Sequence, residues 1–145
     1  MITRVLLTII PIMILTACIG DPIYSIKHTV KFDGKLTHEC FNAAANSIKD
    51  VSIIKIEDRY GERDFDEYIV SNSKVEIEVL WFKADRMTVE LSTMGIGYAE
   101  KERDSNTCDL IREFKKSLID ACQLNKERIT VNKEYMRSGC DDQPI

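Results

Sequence analysis

The residues with the most distinctive chemistry in this chain are its five cysteines, Cys18, Cys40, Cys108, Cys122 and Cys140. Cysteine side chains can ligate zinc, act as nucleophiles or form disulfides. Zinc sites usually have paired ligands at C-x-x-C or H-x-x-x-H spacing, whereas no two cysteines here are closer than fourteen residues. The spacing therefore favours disulfides over a metal site or a catalytic thiol.

The remaining residue types do not assemble into a recognisable catalytic site. His28 and His38 have no ligand or triad partner at a familiar spacing, and we interpret both as surface residues. The chain has no Gly-x-Ser-x-Gly elbow, His-Glu-x-x-His pair or phosphate-binding loop. Six acids within residues 57–67 invite a calcium interpretation, but their spacing does not fit a calcium loop. We therefore expect no catalytic residue, no metal and no cofactor.

The first seventeen residues have the features of a secretory signal peptide. Twelve of them are hydrophobic, the single charged residue is Arg4, and small residues end the segment. The apolar run is too short to cross a bilayer, which takes about twenty residues, and Pro11 interrupts it. We therefore expect residues 1–17 to be removed from the mature protein.

The sequence Leu15-Thr16-Ala17-Cys18 resembles the lipobox of bacterial lipoproteins, in which a signal peptidase cuts before a cysteine that carries diacylglycerol. The resemblance covers the leader alone and implies that Cys18 becomes the acylated first residue of the mature chain. Two or more acyl chains, such as palmitate, anchor a protein durably to a membrane. Ile19 stands where an Asp would favour retention at the inner membrane, so the resemblance implies the outer membrane, facing the periplasm.

Once Cys18 is assigned to the lipid, four cysteines remain, and the oxidising compartment beyond the leader suggests two disulfides. A single predicted helix holds Cys108 and Cys122 about 21 Å apart along its axis, too far to bond each other. Four strands between two helices would make the helices antiparallel and pair Cys40 with Cys122, leaving Cys108 for Cys140. Three intervening strands would instead pair Cys40 with Cys108 and Cys122 with Cys140.

The hydrophobic pattern predicts an α+β fold, an antiparallel meander of four to five strands with two helices on one face and two disulfides. Residues 18–34 are expected to form a lipid-anchored tether, with a marginal strand at residues 25–32, and residues 35–145 to form one domain. Thr37 caps the first predicted helix, and one of residues 105–107 caps the second. The predicted strands are 51–60, 65–71, 74–83, 87–93 and 129–135, with a loop at 94–104.

Strand register gathers acidic and apolar side chains on the sheet face that points away from the helices. A turn at Asn72-Ser73 would place Glu67 opposite Glu78. A loop of three or five residues before the next strand would pair Trp81 with Val89 and keep the inner face apolar. The candidate partner-binding residues on the opposite face are Glu67, Glu76, Glu78, Leu80, Phe82 and Glu90.

The 145 residues carry a net charge of −4, which excludes a nucleic-acid binder driven by phosphate neutralisation. The acidic face is either a solvated surface, neutralised by Lys or Arg from a loop or the N-terminal strand, or a surface for a basic protein partner. We expect a lipid-anchored periplasmic protein-binding module, specifically an inhibitor or immunity lipoprotein that neutralises a toxin or hydrolase. The alternative is a non-catalytic accessory of an envelope or secretion assembly.

Overall fold

The computed structural model describes residues 23–96, 101–136 and 140, which form an antiparallel sheet of six strands and two α-helices. In chain order the elements are β1 (Ile23–Lys31), α1 (His38–Ser47), β2 (Ser52–Ile56), β3 (Phe65–Ser71), β4 (Glu76–Phe82), β5 (Thr88–Ile96), α2 (Lys101–Ala121) and β6 (Thr130–Met136). The strands lie side by side in the order β2, β3, β4, β5, β1, β6. The predicted α+β class is confirmed, with six strands in place of four to five.

Aromatic side chains hold both helices against one face of the sheet. The ring of Phe41 on α1 stacks on Trp81 of β4, with ring centroids 5.1 Å apart and an interplanar angle of 1°. The same ring contacts Tyr68 of β3 at 4.6 Å and Phe114 of α2 at 5.6 Å. All four side chains are buried. This aromatic cluster joins α1, α2 and the centre of the sheet into one core.

β1 is an interior strand, although the sequence predicts a tether with a marginal strand in this segment. It pairs with β5 along one side and with β6 along the other. Ile26, His28 and Val30 all face the core and are buried. The expectation of a tether as far as residue 34 is wrong for β1, because both neighbouring strands come from distant parts of the sequence that a local pattern does not reveal.

The β3–β4 hairpin has a longer loop than predicted. Asn72 accepts hydrogen bonds from the backbone N–H groups two and three residues after it, at 2.8 and 2.9 Å, and this extends the loop to four residues. Glu78 therefore lies opposite Ile69, and Glu67 lies opposite Leu80 rather than opposite Glu78. Because the register shifts by an even number of residues, every side chain keeps its predicted face.

The β4–β5 hairpin confirms the predicted register. Trp81 lies opposite Val89, and five residues separate Phe82 from Thr88. The carboxylate of Asp85 accepts a hydrogen bond from the backbone N–H of Thr88 at 3.0 Å and so fixes the loop. The odd loop length keeps the inner face apolar across both strands.

α2 begins earlier than predicted. It starts at Lys101, so residues 105–107 lie within the helix and do not cap it. Asp104 and Thr107 are buried, and they extend the buried stripe of the helix toward its N-terminus. Lys101, Glu102 and Arg103 are better helix formers than Ser105, Asn106 and Thr107, so the helix begins before the predicted cap residues. Within the predicted loop at 94–104, β5 continues to Ile96, and residues 97–100 lie outside the described residues.

Both disulfides join the cysteines that four intervening strands predict. Cys40 in the first turn of α1 is bonded to Cys122, which follows α2, and Cys108 within α2 is bonded to Cys140, which follows β6. The predicted cap is also present, since the backbone N–H of Cys40 donates to Thr37 Oγ1 at 3.2 Å. The strands β2 to β5 lie between the helices in the chain, which is the condition for this pairing.

Candidate partner-binding face

In the described part of the chain, neither helix covers the sheet face opposite the aromatic core, which we call the outer face. Phe41 of α1 contacts the rings of Tyr68 and Trp81, which face the core, and Phe114 of α2 packs against Phe41. Successive side chains of a strand alternate between the two faces, so the strand neighbours of these rings point outward. The outer face carries all six predicted partner-binding residues, Glu67, Glu76, Glu78, Leu80, Phe82 and Glu90.

Glu67, Glu78 and Glu90 form a three-glutamate cluster across β3, β4 and β5. Leu80 is paired with Glu67 on one side and with Glu90 on the other. Glu78 precedes Leu80 by two residues on the same strand, so it is a diagonal neighbour of both other glutamates. Glu76 lies farther along β4, opposite Ser71, and is exposed. The sheet register brings these carboxylates together from three separate strands.

Two basic side chains neutralise part of the cluster. Arg63, from the loop between β2 and β3, donates a hydrogen bond to Glu67. The Nζ atom of Lys27 on β1 lies 3.0 Å from Glu90 Oε2. Among the described side chains, no cation lies within 4.0 Å of Glu78, to which Ser92 Oγ donates at 3.4 Å. The sequence predicts both sources of cations, a loop and the N-terminal strand. Together they neutralise only part of the negative charge of the three glutamates.

The carboxyl of Glu78 therefore lies in an environment that disfavours its charge. Burial raises the pKa of Glu78, and repulsion from Glu67 and Glu90 raises it further, while the hydrogen bond from Ser92 opposes the rise. A cation placed beside Glu78 would favour the ionised form and bring this pKa down. A basic group from another molecule would therefore be attracted to this incompletely neutralised cluster.

Apolar side chains surround the three-glutamate cluster on one half of the outer face. This apolar patch consists of Ile54, Ile56, Phe65, Ile69, Leu80 and Phe82. Ile54 is 58% exposed, and the rings of Phe65 and Phe82 lie 6.1 Å apart. The half of the outer face formed by β1 and β6 is polar and carries Lys27, Thr29, Asn132 and Glu134. The patch lies at the β2 side of the sheet.

Sequence reasoning missed the part of the apolar patch contributed by Ile54, Ile56 and Phe65. Three of the five residues of β2 are isoleucine, so apolar alternation does not show which of them face outward. Phe65 lies directly opposite Phe82, and this pairing depends on the four-residue loop between β3 and β4. The side chain of Asn72, which can fold such a loop around itself, is the signal that could have revealed it.

The acidic loop between β2 and β3 is organised by its own backbone. The carboxylate of Asp58 accepts hydrogen bonds from the N–H groups of Gly61 at 2.9 Å and Arg63 at 3.0 Å, and Lys83 Nζ lies 3.6 Å away. The bond from Arg63 is the main cause that lowers the pKa of Asp58. Over the described residues, no group of three or more His, Cys, Asp or Glu side chains is placed to hold a metal.

A chain of polar side chains, buried at Lys115 and His28, connects α2 to β6 through β1. Lys115 Nζ lies 3.2 Å from His28 Nδ1, and His28 Nε2 lies 3.2 Å from the hydroxyl of Tyr135. An ammonium group can only donate, so Nδ1 accepts from Lys115 and Nε2 donates to Tyr135. The prediction of His28 as a surface residue is wrong, because it is an inner-face residue of β1 and is 3% exposed. His38 is exposed, as predicted.

The pKa of the Lys115 amine is lower than that of an exposed lysine, as expected for a buried amine. Burial, together with the nearby charges of Lys133 and Arg112, lowers the pKa of Lys115 to about 8. A lysine with such a pKa can act as a nucleophile where a substrate can reach it. Lys115 is 3% exposed, so its amine serves the connection between α2 and β1.

None of the described helices is long and apolar enough to cross a membrane. No protein-family model matches the chain, and no curated protein or solved structure matches it.

Proposed function

We propose that this protein is a lipid-anchored, non-enzymatic binding module of the cell envelope, specifically an inhibitor or immunity lipoprotein that neutralises a toxin or hydrolase in the periplasm. The observation that carries the proposal is the outer face, which the described residues leave uncovered, and where an apolar patch surrounds three glutamates that are paired with two cations. Apolar contact supplies affinity in such a surface, while the unpaired charge guides and selects the partner.

The proposed location rests on the resemblance of residues 15–18 to a lipobox. Acylated Cys18 would hold the protein at the outer membrane, with Ile19 in place of the inner-membrane signal. The two disulfides suit an oxidising compartment outside the cytoplasm. A binding protein fixed to the membrane surface would meet a toxin or hydrolase before it reaches its target.

The proposed partner presents a Lys or Arg among apolar side chains. A cation beside Glu78 would offset the repulsion from Glu67 and Glu90 and stabilise the ionised carboxylate. Leu80 lies within the cluster, so a partner that covers Leu80 also removes water from the neighbouring carboxylates. Removal of water strengthens the attraction between the partner's cation and Glu78.

A charge reversal at Glu78 tests this proposal. The partner is first captured on the detergent-solubilised lipidated protein, purified, and then measured by surface plasmon resonance. Glu78→Lys should slow association roughly tenfold or more at low salt, and the difference should shrink as salt is added, because steering by exposed charge is screened. Glu113→Lys makes the same change of charge at an exposed position on α2 and should leave the rate unchanged.

The possible results distinguish an immunity or inhibitor protein from an accessory of an envelope assembly, and both from a protein whose outer face is only solvated. Equal rates for wild type, Glu78→Lys and Glu113→Lys would mean that the outer face is solvated and does not bind the partner. An accessory of an envelope assembly would co-purify with membrane proteins in the absence of any soluble toxin. An immunity or inhibitor protein should instead bind one soluble protein and block its activity.

A further inference from the structure

β2 forms one edge of the sheet. It pairs with β3 along one side, and no strand in the described ranges pairs with its other side. An edge strand presents unpaired backbone N–H and C=O groups that a strand from another chain can extend. Ile54 at the centre of β2 is 58% exposed, and its neighbour across the pair, Ile69, belongs to the apolar patch. The apolar patch therefore reaches this edge.

The charged residue of β2 is directed away from the free edge. Lys55 Nζ lies 3.4 Å from Asp66 Oδ1 and 5.7 Å from the centre of the Tyr68 ring, and both partners belong to β3. Lysines on edge strands commonly prevent pairing with other chains. The contacts of Lys55 lie on the β3 side and on the inner face. Lys55 therefore does little to prevent another strand from pairing with the free edge of β2.

The opposite edge, β6, is built differently. Its C-terminal continuation is bonded through Cys140 to Cys108 of α2, and the Tyr135 hydroxyl joins the chain to His28. Three outer-face side chains of β6 are polar, namely those of Thr130, Asn132 and Glu134. The apolar patch thus meets the edge at β2 and not at β6.

We infer that the partner binds by adding an extended segment to the free edge of β2, as a seventh strand of the sheet. This inference rests on the proposed function and specifies how the outer face engages its partner. The added strand would lie about 4.8 Å from β2, with alternate side chains beside Ile54 and Ile56. It would extend the sheet and the apolar patch together.

The charges next to β2 indicate which residue types the added segment should carry. The loop after β2, residues 57–64, contains four carboxylates and two arginines. The Arg63 side chain is already paired with Glu67. An extended segment with apolar residues beside Ile54 and Ile56 and basic residues at the end next to this loop therefore complements both the patch and the loop, whereas an acidic segment would be repelled.

Peptide binding to the mature protein in detergent tests the inference. The probe is a short peptide with a valine-rich half and a lysine-rich half, compared with the same peptide N-methylated throughout, which cannot donate backbone hydrogen bonds. The unmodified peptide should bind and slow hydrogen exchange at the β2 amides. Ile54→Lys should weaken its binding roughly tenfold or more. Asn132→Lys, the same charge change on β6, should leave binding unchanged, and thermal unfolding checks that both variants are folded.

Equal binding of the N-methylated peptide, protection at β6, or unchanged binding to Ile54→Lys would overturn strand addition. Concentration-dependent protection of β2 without peptide would instead identify a second copy of the chain as the occupant, and would overturn the assignment to a partner. With the captured partner, loss of binding in Glu78→Lys but not in Ile54→Lys would overturn strand addition while keeping the proposed function. No effect of either variant would overturn the proposed function itself.

Discussion

Replacing Cys40 and Cys122 together by alanine is expected to lower the free energy of unfolding by about 4 kcal/mol. The disulfide joins residues separated by 82 positions, so its removal returns much conformational freedom to the unfolded chain. A loss of this size is a large part of the roughly 5–15 kcal/mol that stabilises a typical domain. Urea-induced unfolding followed by circular dichroism measures the change directly.

The second disulfide provides the matched control. Cys108 and Cys140 are separated by 32 positions, and alanine at both should cost about 1 kcal/mol less than removal of the longer cross-link. Both cysteines of a pair are replaced together, because a single replacement leaves a free thiol that can exchange with the other disulfide. A larger loss of unfolding free energy on removal of the shorter cross-link would show that loop length does not determine how much each disulfide stabilises the protein.

Raising the pH from 8 to 10.5 is expected to stabilise the wild-type protein by about 3 kcal/mol relative to Lys115→Met. The pKa of Lys115 is lowered to about 8 in the folded protein, from the ordinary value of 10.5. Between these values the unfolded chain binds more protons than the folded chain, so stability rises with pH. Below the folded pKa both states are protonated, and this contribution does not vary. Chemical unfolding at a series of pH values measures the difference.

Lys116→Met is the control for this pH series, because Lys116 is the exposed neighbour of Lys115. Burial also raises the pKa of Tyr68, which removes stability as the pH rises past about 10. That loss is common to wild type and both variants, so it cancels in the comparison. The same pH dependence in wild type and Lys115→Met would contradict a buried lysine that loses its proton on folding.

The parts of the fold that local pattern determines could be predicted from the sequence. Alternating apolar residues fixed the inner and outer faces of β3, β4 and β5, and the need for a continuous inner face predicted the pairing of Trp81 with Val89. Thr37 was identifiable as a cap from its residue type and from the helix pattern that follows. The number of strands between the helices then determined the disulfides.

The parts that depend on distant neighbours could not be predicted. β1 has little local signal, and its place is set by β5 and β6, which follow much later in the chain. His28 could be recognised as an inner-face residue only after β1 was placed between those strands. The start of α2 was missed because the good helix formers Lys101, Glu102 and Arg103 carry the helix past the cap candidates toward its N-terminus.

The candidate binding face was predictable in composition but not in detail. The face of each glutamate followed from alternation, which a shift of two residues between β3 and β4 leaves intact. Their actual neighbours did not follow, since Glu67 lies opposite Leu80 and Glu78 opposite Ile69. The apolar contribution of β2 required knowledge that this strand lies beside β3 with Ile54 facing outward.

Mass spectrometry of the protein isolated from its own membranes tests whether it is lipid-anchored, because a partner in the envelope is expected only if the protein is anchored there. The mature chain should begin at Cys18, and its N-terminal peptide should carry the mass of a diacylglyceryl group, with or without a further acyl chain. A mature chain that begins at Cys18 without lipid, or that retains residues 1–17, would contradict a lipid anchor at this cysteine.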